Sequence, residues 1–188
     1  MNALTVKGLC KRYPAFSLEN VNFSVPEGAV MGFIGRNGAG KSTTLKALLG
    51  LVHPDAGEVT VLGKSFREEE RYIKERIGVV LGGIDFYPKK KVRLLSDVTR
   101  RFYGNWQEEK YRHYLDLFGI DQEKRVDQLS TGMRVKYMIA LALSHDARLL
   151  ILDEPTSGLD PVSRNELTEL LRRIAADGQR SVLFSTHI

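Results

Sequence analysis

The junction at Gly35 narrows the possible folds of this chain more than any other stretch. The apolar run Ala29-Val30-Met31-Gly32-Phe33-Ile34 leads into Gly35-Arg36-Asn37-Gly38-Ala39-Gly40-Lys41-Ser42, and apolar residues then recur at helical spacing from Ser42 to Leu51. A near-continuous apolar run reads as a buried parallel strand. The glycine-rich turn matches G-x-x-x-x-G-K-[ST] between a strand and a helix, the context that gives the pattern its meaning. Its glycines let the backbone wrap closely around phosphate oxygens. Consecutive N–H groups at the helix start add partial positive charge there. In a chain of this length the pattern arises by chance roughly one time in a hundred. Lys41 is expected at the β- and γ-phosphates, Ser42 on Mg²⁺ and Thr43 at the α-phosphate, with ATP or GTP as the ligand.

Further elements alternate along the chain. Leu4 to Leu9 alternates as an edge strand would, and Leu18 to Val25 reads similarly. Short strands are expected at Val59–Leu62, Ile77–Leu81, Leu149–Leu152 and Ser181–Ser185. Helices are expected at Met133–Leu143 and Pro161–Ala176, the latter with proline in its first turn and Gly178 beyond its end. From about Leu94 to Lys124 apolar residues repeat at helical spacing among many charges, as in a small helical insertion. Strands alternating with helices imply an α/β core around a parallel sheet, and the N-terminal strands an antiparallel side sheet.

Composition removes several classes. With 188 residues the chain suits one domain, and 43% apolar with 27% charged residues is ordinary for a globular protein. The longest uninterrupted apolar run, Tyr137 to Leu143, is far short of a bilayer span. The N-terminus lacks the basic flank and apolar core of a signal peptide. The lone cysteine, Cys10, suits a reducing compartment and reads as a small buried hydrophobe. A net charge of +5 raises nucleic acid or an anionic surface as partners. Its densest run, Lys89-Lys90-Lys91, lacks interleaved aromatics and reads as a solvated face, so nucleic acid is not expected.

Four other places carry chemistry. Leu149-Leu150-Ile151-Leu152-Asp153-Glu154 ends an apolar strand in two carboxylates, which could be a surface pair or an anchor for Mg²⁺ and water. Leu129-Ser130-Thr131-Gly132-Met133 opens a helix, either as a simple N-cap or as a second phosphate receptor. His187 follows the last strand, where an isolated histidine is most often structural. Tyr13, in Lys11-Arg12-Tyr13-Pro14, is either a turn residue or a base-stacking ring, and such stacking contributes about 1–3 kcal/mol.

In this order these motifs resemble the ABC ATPases, the motor subunits of ABC transporters. The resemblance spans Tyr13 to His187. It implies a P-loop NTPase core at residues 1–83 and 134–188, with a helical subdomain at about 84–133. It implies that Tyr13 stacks on adenine, Asp153 holds Mg²⁺ through water, Glu154 polarises the attacking water, and His187 contacts the γ-phosphate. Lys41 completes the catalytic set. Ser157 to Asp160 is similar to the family's D-loop, and Ser130 and Gly132 to its signature motif, usually L-S-G-G-Q, here with Thr131 and Met133 as variations. Two copies, or this chain and a second ABC ATPase, would close head to tail over two ATP molecules. Transmembrane permease subunits would be the partners, holding the chain on the cytoplasmic face of the membrane. The short insertion looks most like ABC-2-type exporters.

Two departures stand out. The family usually has a glutamine after the Ile77–Leu81 strand, whereas this chain has Gly82-Gly83 there and no glutamine from Ile77 to Trp106. A glycine side chain cannot orient water. The chain also ends one residue after His187, so the rest of the domain is expected to be missing and Ser181–Ser185 to be left exposed. A soluble ABC ATPase acting on nucleic acid or ribosomes, and a weakly catalytic regulatory module, remain the alternatives.

Overall fold

The structure, a computed structural model, describes residues 1–81 and 87–187. It is an α/β fold with two sheets. Strands β1 (Asn2–Tyr13), β2 (Phe16–Pro26), β4 (Ala56–Val61) and β5 (Lys64–Ser65) form an antiparallel sheet in the order β2-β1-β4-β5. Strands β3 (Val30–Ile34), β6 (Ile77–Val80), β7 (Leu149–Leu152) and β8 (Ser181–Thr186) form a parallel sheet in the order β3-β8-β7-β6.

The inner strands of the parallel sheet show why an unbroken apolar run folds there. In β7, Leu149 and Ile151 pack into one core with α1 (Lys41–Leu48) and the antiparallel sheet. Leu150 and Leu152 face the opposite way, into a core with α5 (Thr131–Ser144) and α6 (Pro161–Ala175). Side chains alternate across a strand, so a strand covered on both faces must be apolar at every position. A third core, around Leu95, Tyr111, Leu115 and Val126, belongs to a helical unit built on α3 (Val92–Thr99) and α4 (Glu108–Phe118). The chain also forms a short helix, α2 (Glu70–Lys74). Helix α5 joins the helical unit to the sheet. Its Tyr137 and Ala140 enter the helical core, while Ile139, Ala142 and Leu143 enter the sheet core.

Three expectations about strands are corrected. Strand β1 is interior, with β2 on one side and β4 on the other, because its backbone groups pair along both edges, which the alternation of its side chains does not encode. Among the described residues, strand β3 is the edge of the parallel sheet and pairs only with β8. One of its faces is open, leaving Val30 and Ile34 exposed despite their apolar character. Strand β8 lies between β3 and β7, so Ser181, Val182, Leu183 and Ser185 are buried instead of exposed. Cys10 is only half-buried; its Sγ accepts the Asn20 N–H at 3.3 Å. Gly82 and Gly83 lie outside the described residues.

Candidate functional site

The parallel register brings the chemistry together. Phe33 pairs with Ser185 and Ile34 with Thr186, while Leu152 pairs with Phe184. Gly35, His187 and the Asp153-Glu154 pair therefore leave neighbouring strands at the same, carboxyl edge of the sheet. That edge is where open α/β sheets bind ligands.

The Gly35–Ser42 loop is held in shape by its own backbone. Gly40 takes φ +89°, and a Cβ there would lie 2.7 Å from Phe16 Cζ, so glycine alone fits between the turn and β2. Gly40 also precedes α1, whose Thr44 N–H reaches its carbonyl at 2.8 Å. Among the described residues no side chain caps this helix, and no acidic residue occupies its first turn. By contrast, Ser130 caps α5 by accepting the Met133 N–H at 3.2 Å, and Asp160 caps α6 through Val162 and Ser163. The Ser163 hydroxyl and these N–H groups hold the Asp160 carboxyl below its usual range. The first N–H groups of α1 are thus left for an anion. Arg36, Asn37, Gly38 and Ala39 are exposed around it, and Ser42 and Thr43 are half-buried at its base.

Lys41 is buried, unusual for a lysine, and its charge is met from three sides. Nζ donates to Gly35 O at 2.8 Å and Arg36 O at 3.1 Å, and stands 3.8 Å from Glu154 Oε1. Glu154 also takes the imidazole of His187, with Nε2 2.6 Å from Oε2. The carboxylate thus lies between the cation of the loop and the histidine that follows β8. Beside it, Asp153 is buried, and its Oδ1 accepts the Ser185 hydroxyl at 2.6 Å.

Ser185 was not singled out by sequence reasoning. Its hydroxyl also accepts the Glu154 N–H at 2.9 Å. The signal available was a small hydroxyl residue just past the apolar stretch Val182 to Phe184, which has meaning only once β8 is known to flank β7.

The hydroxyl of Ser42 and the remaining oxygen of Asp153 are hard donors of the kind Mg²⁺ takes. Among the described residues no group of three or more histidine, cysteine or acidic side chains gathers as a metal centre. A magnesium ion here fits only with ligand phosphates supplying further oxygens, its usual mode.

Tyr13 stands at the end of β1, half-exposed, with its ring stacked on Phe16 at 6.5 Å and Lys11 Nζ 5.8 Å from its centroid. Because Phe16 touches Gly40, the exposed aromatic and the loop share one corner. Ser130 and Gly132 are elsewhere. Gly132 sits by Leu159, whose Cδ2 would be 3.6 Å from a Cβ at that position, so the α5 start adjoins the Ser157–Asp160 turn. Among the described residues no hydrogen bond or ion pair joins Ser130 or Gly132 to the Gly35–Ser42 loop.

A family model described as ABC transporter matches residues 18–157, from β2 through Asp153-Glu154. The chain belongs to the ABC transporter family. The bacitracin transport ATP-binding protein BcrA of Bacillus licheniformis is 36% identical over 174 residues, covering 92% of this chain and 57% of that protein. The Nod factor export ATP-binding protein I of Burkholderia orbicola (strain AU 1054) is 37% identical over 183 residues, covering 94% and 60%. The chain thus spans less than two thirds of the length of these relatives. The structure of cbiO1 from Clostridium perfringens, part of the ABC transporter complex cbiONQ, is similar with a TM-score of 0.82 and 26% identity. It covers 100% of this chain and 79% of that one. The two sheets and the helical unit are accordingly those of an ABC ATPase domain, with a P-loop NTPase core. No helix among the described residues of this ABC domain is long and apolar enough to cross a membrane.

Proposed function

We propose that this ABC domain binds and hydrolyses ATP to drive a membrane exporter of the ABC-2 type. The observation that carries this reading is the position of Glu154, 2.6 Å from His187 and 3.8 Å from Lys41 beside the uncapped start of α1. An anion at that helix start would meet a cation, a carboxylate able to take a proton from water, and an imidazole able to steady both. Hydrolysis of a phosphoanhydride needs little more than such positioning and charge neutralisation. The names of the relatives, bacitracin transport and Nod factor export, support the exporter subtype.

In this reading Gly35 to Gly40, with Arg36, Asn37 and Ala39 between, wrap the phosphates with backbone N–H groups. Lys41 leaves the Gly35 and Arg36 carbonyls for the β- and γ-phosphates, Thr43 meets the α-phosphate, and Tyr13 stacks on adenine. Ser42 and Asp153 would hold Mg²⁺, which supplies charge neutralisation to the phosphates when bound. Glu154 orients the attacking water and accepts its proton, and His187 steadies the γ-phosphate. Ser130 and Gly132 serve a second copy or a homologous subunit, a reading supported by their place at the start of α5 beside Leu159, with no hydrogen bond to this chain's own loop among the described residues. Permease subunits would hold the protein on the cytoplasmic face of the membrane through the helical unit, taken as about 84–133 with the core at 1–83 and 134–188.

The test is Glu154→Gln in the full-length protein. ATP turnover should fall by about 10²-fold or more, as for loss of a general base, while nucleotide still binds and dimers accumulate. Parent-like turnover would refute the assignment, and a strictly monomeric profile with ATP would refute the composite site.

A further inference from the structure

We propose that Ser185 is the positioning residue of this site: its single hydroxyl sets where both carboxylates at the end of β7 stand. The inference rests on the hydrolytic reading above. A serine hydroxyl carries one proton and two lone pairs. Here the proton goes to Asp153 Oδ1 at 2.6 Å, and a lone pair receives the Glu154 N–H at 2.9 Å. The result is a directional chain, N–H to hydroxyl to carboxylate, in which each bond polarises the next. Ser185 is fully buried, so no water competes for either contact.

The backbone at Glu154 gives this chain its importance. Glu154 takes φ +50°, in the left-handed region that residues with a Cβ avoid. Such a conformation persists only when its surroundings over-determine it. Two bonds do so: Ser185 accepts the Glu154 N–H, and the Glu154 carbonyl accepts the Ser157 N–H at 3.0 Å. That unusual φ turns the Glu154 side chain out of the strand toward His187 and Lys41. Asp153 continues the β7 ladder, its N–H donating to Val80 O at 2.8 Å. The two adjacent carboxylates thus diverge, one along the strand and one off it, with Ser185 fixing the point of divergence from the neighbouring strand. Ser185 contacts the reacting groups only through Asp153 and Glu154.

The experiment compares Ser185→Ala, Ser185→Cys and Ser185→Thr with the parent in the full-length protein, with Glu154→Gln as control. Four quantities are measured: Tm, affinity for a fluorescent ATP analogue without metal, the Mg²⁺ concentration that tightens that binding, and single-turnover hydrolysis. Ser185→Ala should bind the metal-free nucleotide within about twofold of the parent. Its Mg²⁺ requirement should rise, and its hydrolysis rate fall, by about 10–100-fold, the usual effect of losing an outer partner of a metal-binding carboxylate. Ser185→Thr, which keeps the hydroxyl, should restore both, and Ser185→Cys, with a weak donor, should fall between.

A folded Ser185→Ala with parent-like Mg²⁺ response and turnover would overturn the proposal. So would a folded Ser185→Thr no better than alanine, or loss of the fold in both Ser185→Ala and Ser185→Cys, which would make the role structural. Glu154→Gln separates the two levels. Parent-like hydrolysis in that variant removes the hydrolytic reading itself, whereas a Glu154→Gln that has lost hydrolysis, beside a Ser185→Ala that has not, removes only the assignment to Ser185.

Discussion

Lowering the pH from 7 to 5 should cost this fold about 2 kcal/mol through one side chain, His145. The residue follows α5 and is buried between the two parts of the domain. From the helical side Tyr103 stacks on its ring at 3.7 Å, and Asn105 donates to its carbonyl. From the sheet side the Glu75 carbonyl lies 3.3 Å from Nδ1. The charges nearby are already engaged: Asp146 with Lys110 and Arg180, and the Glu75 side chain with Arg71 and Arg76. Lys74 and Arg134 line the same cavity of about 380 Å³. Burial dominates over the favourable carbonyl contacts and holds the imidazole pKa down to about 4.

Unfolded, the same imidazole titrates near about 6.5, so between the two values the unfolded chain holds a proton that the fold excludes, and acid favours unfolding. A shift of about 2.5 units gives a ceiling near 3 kcal/mol below pH 4, of which about 2 kcal/mol is already lost at pH 5. Urea unfolding of the parent and of His145→Phe at pH 7, 6 and 5 measures this. Phenylalanine keeps a ring over Tyr103 but cannot protonate. It should begin about 1 kcal/mol less stable at pH 7 through loss of the Glu75 contact, then gain on the parent as the pH falls. Parallel stability curves for the two proteins, or an imidazole signal titrating near its ordinary value, would refute the reasoning.

Two other outcomes follow from the geometry. Lys41→Ala should weaken ATP binding by about 10–100-fold, the value of one charge-assisted contact of 1.5–3 kcal/mol, and a fluorescent nucleotide titration would show it. Tyr137→Phe should lower unfolding stability by about 1–2 kcal/mol in urea without changing nucleotide affinity. Its hydroxyl donates to Val92 O at 3.2 Å and meets Ser96 Oγ at 2.8 Å, within a buried network that includes Tyr111. Burial pushes the Tyr111 hydroxyl up to about 12 and Tyr137 higher still.

The fold class was legible because local pattern and final environment agree along most of the chain. Leu149 to Leu152 is apolar throughout and is covered on both faces, so the run and its burial match. Ala29 to Ile34 has the same kind of pattern yet ends at an open edge with Ile34 exposed. Which strand is central depends on partners far away in sequence, and no window of residues contains that information. The alternation at Leu4 to Leu9 failed for the same reason, since hydrogen bonding along both edges leaves side-chain alternation unchanged. The helix starts were easier: Asp160-Pro161 and Ser130 carry their caps in the sequence, and both helices begin there.

The site divides along the same line. The loop at Gly35 to Ser42 is contiguous, and its signal survives in sequence because every group of the motif comes from adjacent residues. Glu154 and His187 follow separate strands, and their 2.6 Å contact arises only because β8 is placed beside β7. Ser185 is the extreme case. A serine in a strand carries no functional signal, and its two bonds depend on the register that sets it opposite the Asp153-Glu154 step. Even the left-handed backbone at Glu154, the strongest local departure at the site, cannot be read from a glutamate followed by proline. The part of this site visible in sequence is the contiguous glycine-rich loop. The part that aims the carboxylates is built by strand order.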